Sequence, residues 1–232
     1  MRLLGIDTSG MVASVAVLED DILIGEYTLN YKKTHSQTLM PMLDELCKSL
    51  ELDLATVDAI AVAVGPGSFT GLRIGAAAVK GLSFAIAKPV IEVSTLEGLA
   101  YQCSESSKVV CAILDARRKQ TYAAGYIFEN GITEVISEDA LAIEDFIEKV
   151  NDLGREVVFL GDGVPVFKED IEKLCKVPYS FAASHRNRQS AAAVCMAAKY
   201  RFLNGELKNG DDLRLNYLRV SQAERERAEK TV

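Results

Sequence analysis

The chain repeats its own plan, and the repeat limits what it can fold into. LLGIDTSGMVASVAVLEDD, starting at Leu3, aligns with CAILDARRKQTYAAGYIFENG, starting at Cys111, and AVAVGPGSF at 61–69 aligns with VVFLGDGVPVF at 157–167. In each half an apolar run ends in an aspartate, Asp7 or Asp115. Two more strand-like runs follow, then a helical stripe, a fully apolar strand ending in a glycine turn, and another helix. Two βββαβα halves predict a duplicated α/β protein of two lobes, 1–104 and 105–232, with a last helix near 189–203 packing back on the first lobe.

The first half reads as strands at 2–8, 12–18 and 22–30, with short polar turns that fit an antiparallel meander. A helix at 36–50 follows, with Leu39, Met42, Leu43, Leu46, Cys47 and Leu50 on one face and Pro41 expected in its first turn. Next come a strand at 59–64, a helix at 68–88, a strand at 90–93 and a helix from 96. The second half reads as strands at 109–115, 121–128 and 132–137, a helix at 142–153, a strand at 156–160 and a helix at 165–175. A short strand is expected at 215–220, and the alternating charges of SQAERERAEK predict a solvated helical end.

Gly65-Pro66-Gly67, with Ser68 as N-cap, forms a strand–glycine–helix junction whose amides and dipole suit an anion. The helix then spaces Gly71, Gly75, Ala78, Gly81 and Ala85 at three and four residues. An interior glycine costs about 1 kcal/mol against alanine, so three of them imply that another backbone comes close. The choice is between an anion and a partner helix.

A net charge of -7 argues against a protein that grips nucleic acid unaided. Five scattered cysteines read as free thiols in a reducing cytoplasm. Asp7 interrupts the first apolar run, so no signal peptide is expected, and Arg73, Lys80 and Lys88 disfavour membrane insertion of 72–91. Asp7, Thr8, Ser9 and Gly10 could hold a phosphate or could simply turn the chain. The matching turn after Asp115 carries Ala116, Arg117 and Arg118 where a phosphate loop needs glycine. Gly161-Asp162-Gly163 either borders an adenosine pocket or joins strand to helix. His35 and His185 are too few for a zinc-type site, and no nucleophile stands out. The surplus apolar residues Met40, Leu43, Cys47, Phe69 and Leu72 point to a protein–protein interface.

GIDTS, THSQTLMPML, VGPGSFTGLRIG, PVIEVSTLEGLA and YLRVSQAERE, spread nearly end to end, resemble the bacterial TsaB (YeaZ) family, which acts in threonylcarbamoyladenosine modification of tRNA. The resemblance implies an actin/hexokinase/Hsp70-like fold. It also implies a paralogue, TsaD, whose Asn-His-x-x-Gly-His motif supplies two metal-ligand histidines. Here Thr95 and Leu99 stand in their places, which implies a non-catalytic subunit without metal. The implied partners are a TsaD-like subunit, a TsaE-like ATPase and, for the chain alone, a second copy, with no direct tRNA or membrane binding. The implied partner surface is His35, Leu39, Met40, Leu43, Cys47, Phe69, Leu72, Arg73, Gly75, Ala76 and Val79. The implied vestigial nucleotide site is Asp7, Thr8, Ser9, Gly65, Gly67, Asp115, Gly161 and Gly163, with no required cofactor and room for residual ATP or ADP binding. The rivals are a kinase-like ATP-using enzyme of the same fold and a glycoprotease-like metallopeptidase.

Overall fold

Fully apolar strands bury both faces, and the two most apolar runs in each half become the centre of a sheet. The computed structural model describes residues 1–31 and 33–219, and the charged tail SQAERERAEK lies outside them. In the first half β1 (Arg2–Asp7), β2 (Ala13–Glu19) and β3 (Ile22–Leu29) form the meander. They are followed by α1 (His35–Ser49), β4 (Ala59–Ala63), α2 (Phe69–Ile86), β5 (Val90–Val93) and α3 (Thr95–Ala100). The second half repeats the series as β6 (Val109–Asp115), β7 (Gln120–Phe128), β8 (Ile132–Ala142) and α4 (Ile143–Asp152), then β9 (Val157–Leu160), α5 (Val164–Leu174), β10 (Tyr179–Phe181) and α6 (Ala191–Leu203). The sheets have the same order, β3-β2-β1-β4-β5 and β8-β7-β6-β9-β10. In each, the first strand pairs antiparallel with the second and parallel with the fourth.

Four sequence expectations need correction. The repeat extends through β10, which closes the second sheet as β5 closes the first. β8 runs to Ala142 rather than 137, because its far end stays paired with Gln120 of β7. Pro41 is interior to α1, on its exposed side, because the helix already begins at His35. Residues 215–219 form no strand; their only ladder-like contact is Asn216 N–H donating to the Val64 carbonyl at 2.8 Å.

The helices are shared between lobes. α1 and α2 cover one face of the first sheet, and α4 and α5 cover one face of the second. The remaining face of each sheet is covered by the other lobe's last helix. α6 packs Val194, Cys195 and Ala198 on Leu3, Leu18 and Ala61, while α3 packs Leu96 and Leu99 among Ala112, Leu114 and Leu160. α3 and α6 touch each other, and Arg201 donates to the Glu97 carboxylate. Ser68 caps α2 as sequence predicts, accepting from Gly71 N–H at 3.2 Å, and Ser190 caps α6 in the same way through Ala193 N–H, also at 3.2 Å.

The backbone that comes close to the glycines of α2 is the chain's own. The space a Cβ would fill at Gly71 holds the Thr8 carbonyl oxygen, and at Gly75 it holds the Thr8 hydroxyl. Thr8 Oγ1 donates to the Gly71 carbonyl at 2.8 Å. Gly81 faces open space. The same substitution therefore has opposite signs along one helix. Gly71→Ala is expected to lose about 1–3 kcal/mol through overpacking against Thr8. Gly81→Ala is expected to gain about 0.5–1 kcal/mol by restricting the unfolded chain. Urea unfolding of both variants measures this, and equal effects at the two positions would contradict the packing.

Candidate functional site

A cleft of about 290 Å³ lies between the lobes. Ser9, Gly10, Met11, Gly67 and Ser68 line its first-lobe side, and Leu114–Arg117, Tyr122 and Asp162 its second-lobe side, with Gln189 beside them. Of the expected vestigial nucleotide residues, Ser9, Gly67 and Asp115 reach this lining. Asp7, Thr8, Gly65, Gly161 and Gly163 sit behind it as structural supports. Gly65 and Gly161 adopt left-handed φ of 121° and 117°, and a Cβ on either would strike a carbonyl oxygen, that of Asn216 or of Ile113.

Two of the amides at the head of α2 are already engaged. Ser68 N–H donates to the Ser9 carbonyl at 2.7 Å, and Gly71 N–H is capped by Ser68 itself. A Cβ on Gly67 would also strike the Ser9 carbonyl, so the β1–β2 hairpin fills the place where an anion would meet these amides. In the second lobe the hairpin after Asp115 places Arg117, Arg118 and Lys119 at left-handed φ of 65°, 55° and 59°. Asp115 N–H donates to Asp162 Oδ1 at 3.0 Å, and burial pushes the Asp162 carboxyl upward. Gln189, 3% exposed, was not singled out by sequence; its Oε1 is buried without a hydrogen-bond partner among the described residues. No local pattern in the sequence marks it, because its place depends on the fold of the preceding loop against Gly10.

Asp7 is 2% exposed and accepts from Ser9 N–H at 2.8 Å and Ser9 Oγ–H at 2.6 Å. Burial pushes its carboxyl up to about 6, against those two hydrogen bonds and the nearby His35. His35 Nε2 lies 2.8 Å from the Gly10 carbonyl, which ties the start of α1 to the same hairpin. Thr95 and Leu99 are buried in α3, and among the described residues no three histidine, cysteine, aspartate or glutamate side chains converge as metal ligands.

The expected partner surface divides in two. Leu39, Leu43, Ala76 and Val79 are buried in the core between α1, α2 and the first sheet, and Leu72 and Gly75 are buried as well, so none of these residues is exposed in the chain alone. Hydrophobic spacing marks a buried stripe without saying which body buries it, and here it is the chain's own sheet. His35, Met40, Cys47, Phe69 and Arg73 retain exposure. The exposed side of α2 carries Thr70, Arg73, Ala77, Gly81, Phe84 and Ala85, and Phe84 is 91% exposed.

The family model described as TsaD, tRNA N6-adenosine threonylcarbamoyltransferase, matches residues 23–224. The tRNA threonylcarbamoyladenosine biosynthesis protein TsaB of Bacillus subtilis is 34% identical over 97% of this chain and 96% of its own length. The Escherichia coli protein of the same name is 34% identical over 70% of this chain and 72% of its own. The solved structure of YeaZ from Pseudomonas aeruginosa superposes with a TM-score of 0.80 at 29% identity, covering 94% of this chain and 99% of that one. An inorganic polyphosphate/ATP-glucomannokinase from Arthrobacter, at TM-score 0.51 and 14% identity, shares the fold alone, which is of the actin/hexokinase type.

Asp7 gives the site a pH signature. Between pH 4 and 6 the unfolded chain has released the proton that the folded chain still holds, so this group's contribution to stability falls as pH rises. A shift from 3.8 to about 6 amounts to roughly 3 kcal/mol at neutral pH. Asp7→Asn keeps an acceptor for Ser9 and has no proton to lose. Glu97, Glu138 and Asp162 are also raised by burial, so the readout is the difference between the two proteins. Chemical denaturation at pH 4 and pH 7 is expected to show the variant gaining on the wild type by roughly 2 kcal/mol over this range. A constant difference would mean that Asp7 titrates normally.

Proposed function

Because the chain belongs to the TsaB family of tRNA threonylcarbamoyladenosine biosynthesis proteins, we propose that it works in that modification as a non-catalytic partner subunit. It binds and holds a TsaD-type transferase and does not act on substrate itself. The carrying observation is the outer side of α2: Ala77, Gly81 and Ala85 beside a Phe84 that is 91% exposed, with nothing among the described residues covering them. Small residues let a second helix approach closely, and a fully exposed aromatic is a common anchor of protein interfaces. α2 is long and apolar enough to cross a membrane, but its other side packs on β1 and β4. The outer side therefore reads as a docking face on a globular body.

Charge supports the finer reading. α2 contains Arg73 and Lys80 and no carboxylate, while exposed positions of α1 include Asp44 and Glu45. Lys48 already pairs with Asp44, so a two-fold arrangement sets Glu45 of one copy's α1 against the basic α2 of the other, and the same face pairs two copies when no transferase subunit is present. The cytoplasmic setting and a TsaE-type ATPase belong to the same proposal. So does the absence of direct tRNA contact, which the net charge of -7 favours.

A second reading, a nucleotide-using enzyme, draws on the unpartnered Gln189 in the interlobe cleft. The occupied amides at the head of α2 and the glycine-free second hairpin weigh against it. Reconstitution separates the two: modification by the TsaD-type subunit is expected to require this chain and to tolerate Asp7→Asn. Ala77→Arg is expected to leave the unfolding midpoint unchanged and Gly81→Arg to raise it slightly; both are expected to weaken binding of the TsaD-type subunit by roughly 100-fold and abolish modification. Wild-type affinity in both variants would sink the docking face, and ATP hydrolysis by the chain alone, lost in Asp7→Asn, would favour the enzyme.

A further inference from the structure

The last described segment lies along the whole length of α2 and then leaves for the other lobe. It starts at the C-terminal end of the helix, where Gly210 packs against Ser83 and Lys80 Nζ donates to the Asp211 carbonyl at 3.3 Å. Leu213 enters the core cluster that contains Ala76 and Val79. Asn216 bonds the end of the first sheet through the Val64 carbonyl, and its own carbonyl fills the space a side chain at Gly65 would need. At the head of the helix the Tyr217 ring lies 4.8 Å from that of Phe69, and its hydroxyl accepts from Arg73 Nε at 3.2 Å. The Arg73 guanidinium lies 3.8 Å over the Phe69 ring, so the three side chains form one stack. Two residues later Arg219 Nη1 donates to the Ala116 carbonyl at 2.8 Å, in the β6–β7 hairpin on the far side of the cleft.

We propose that residues 213–219 act as a strap that couples the outer face of α2 to the β6–β7 hairpin, and so to the opening between the lobes. The strap is anchored by burial at its first residue, Leu213, and by polar and stacking contacts from Asn216 to Arg219. Phe69 and Arg73 seat Tyr217, with Phe69 half-buried and Arg73 exposed. A body that binds over them moves or fixes Tyr217, and the short run to Arg219 carries that change to Ala116. By linkage, a change in the hairpin acts back on the helix face to the same degree. The coupling is a property of the chain alone, so it is measured without any partner and stands or falls separately from the docking role of α2.

Hydrogen–deuterium exchange of the full chain tests it. Arg219→Ala touches only the second lobe directly, yet it is expected to speed exchange of the Asn216 and Arg73 amides about tenfold. Phe69→Ala touches only the first lobe, yet it is expected to speed exchange of the Ala116 and Gln120 amides by a similar factor. Amides of β1 and β6 report global unfolding and are expected to hold their wild-type rates. Should Phe69→Ala raise these too, Tyr217→Phe decides, since it keeps the ring stack and removes only the acceptor for Arg73. Its expected effect is faster exchange at Gln120. If each variant changes only amides in its own lobe, the strap is a passive cover and the coupling is wrong.

Discussion

Each sheet has two faces to bury, and each lobe's own sheet-covering helices bury only one. The other face is closed by the partner lobe's last helix, α6 on the first sheet and α3 on the second. This exchange makes the two halves mutually dependent, since removing either half would expose a complete apolar sheet face on the other. It also brings α3 and α6 together, where Glu97 is buried and paired with Arg201. Burial raises the Glu97 carboxyl to about 7 even against that guanidinium, so the contact between lobes carries an electrostatic cost that packing must offset. The cleft, the hairpins at its mouth and the strap across it are all positioned by this shared centre.

The same architecture fixes the first hairpin against the head of α2. The β1–β2 hairpin keeps its Asp-Thr-Ser-Gly sequence, but its polar atoms are turned inward. Ser9 presents a carbonyl to Ser68, Thr8 donates to α2, and Asp7 is held by Ser9. These bonds fix the hairpin to the head of α2 and leave few donors for an incoming anion. Residues that read as chemistry in a linear sequence thus serve here to lock the helix that carries the outer face.

Much of this was legible in the sequence. The duplication, the strand–glycine–helix junctions and the Ser68 cap follow from local pattern, because their causes act within a few residues. The fifth strand of the second sheet was also within reach. Pro178 before Tyr179–Phe181 matches Pro89 before Val90–Val93, and each proline carbonyl accepts a bond from the neighbouring parallel strand, from Val157 and Ile60. Three residues of strand are too few to show a period, which is why it was missed. At Gly71 and Gly75 the expected close approach is present, but the group that approaches belongs to the chain's own Thr8. Sequence reports that a Cβ is absent, but only the fold shows that Thr8 fills the space at Gly71 and Gly75 and that nothing fills it at Gly81. The strap lay beyond reach for a related reason: its contacts, such as Arg73 with Tyr217, join residues more than a hundred positions apart.

What separates the two sides of α2 is therefore the origin of their apolarity. The inner side is apolar because a sheet and a hairpin cover it, and its glycines answer to Thr8. The outer side is bordered by the strap through Lys80 and Arg73 and carries Phe84 uncovered. Interior packing cannot account for an exposed phenylalanine beside an open glycine, since neither stabilises the isolated chain: the ring gains nothing from water, and the glycine costs helix about 1 kcal/mol. A helix that bears both on the same side fits the docking face proposed above. The strap ensures that such an arrival is felt across the cleft, at the hairpin of the other lobe.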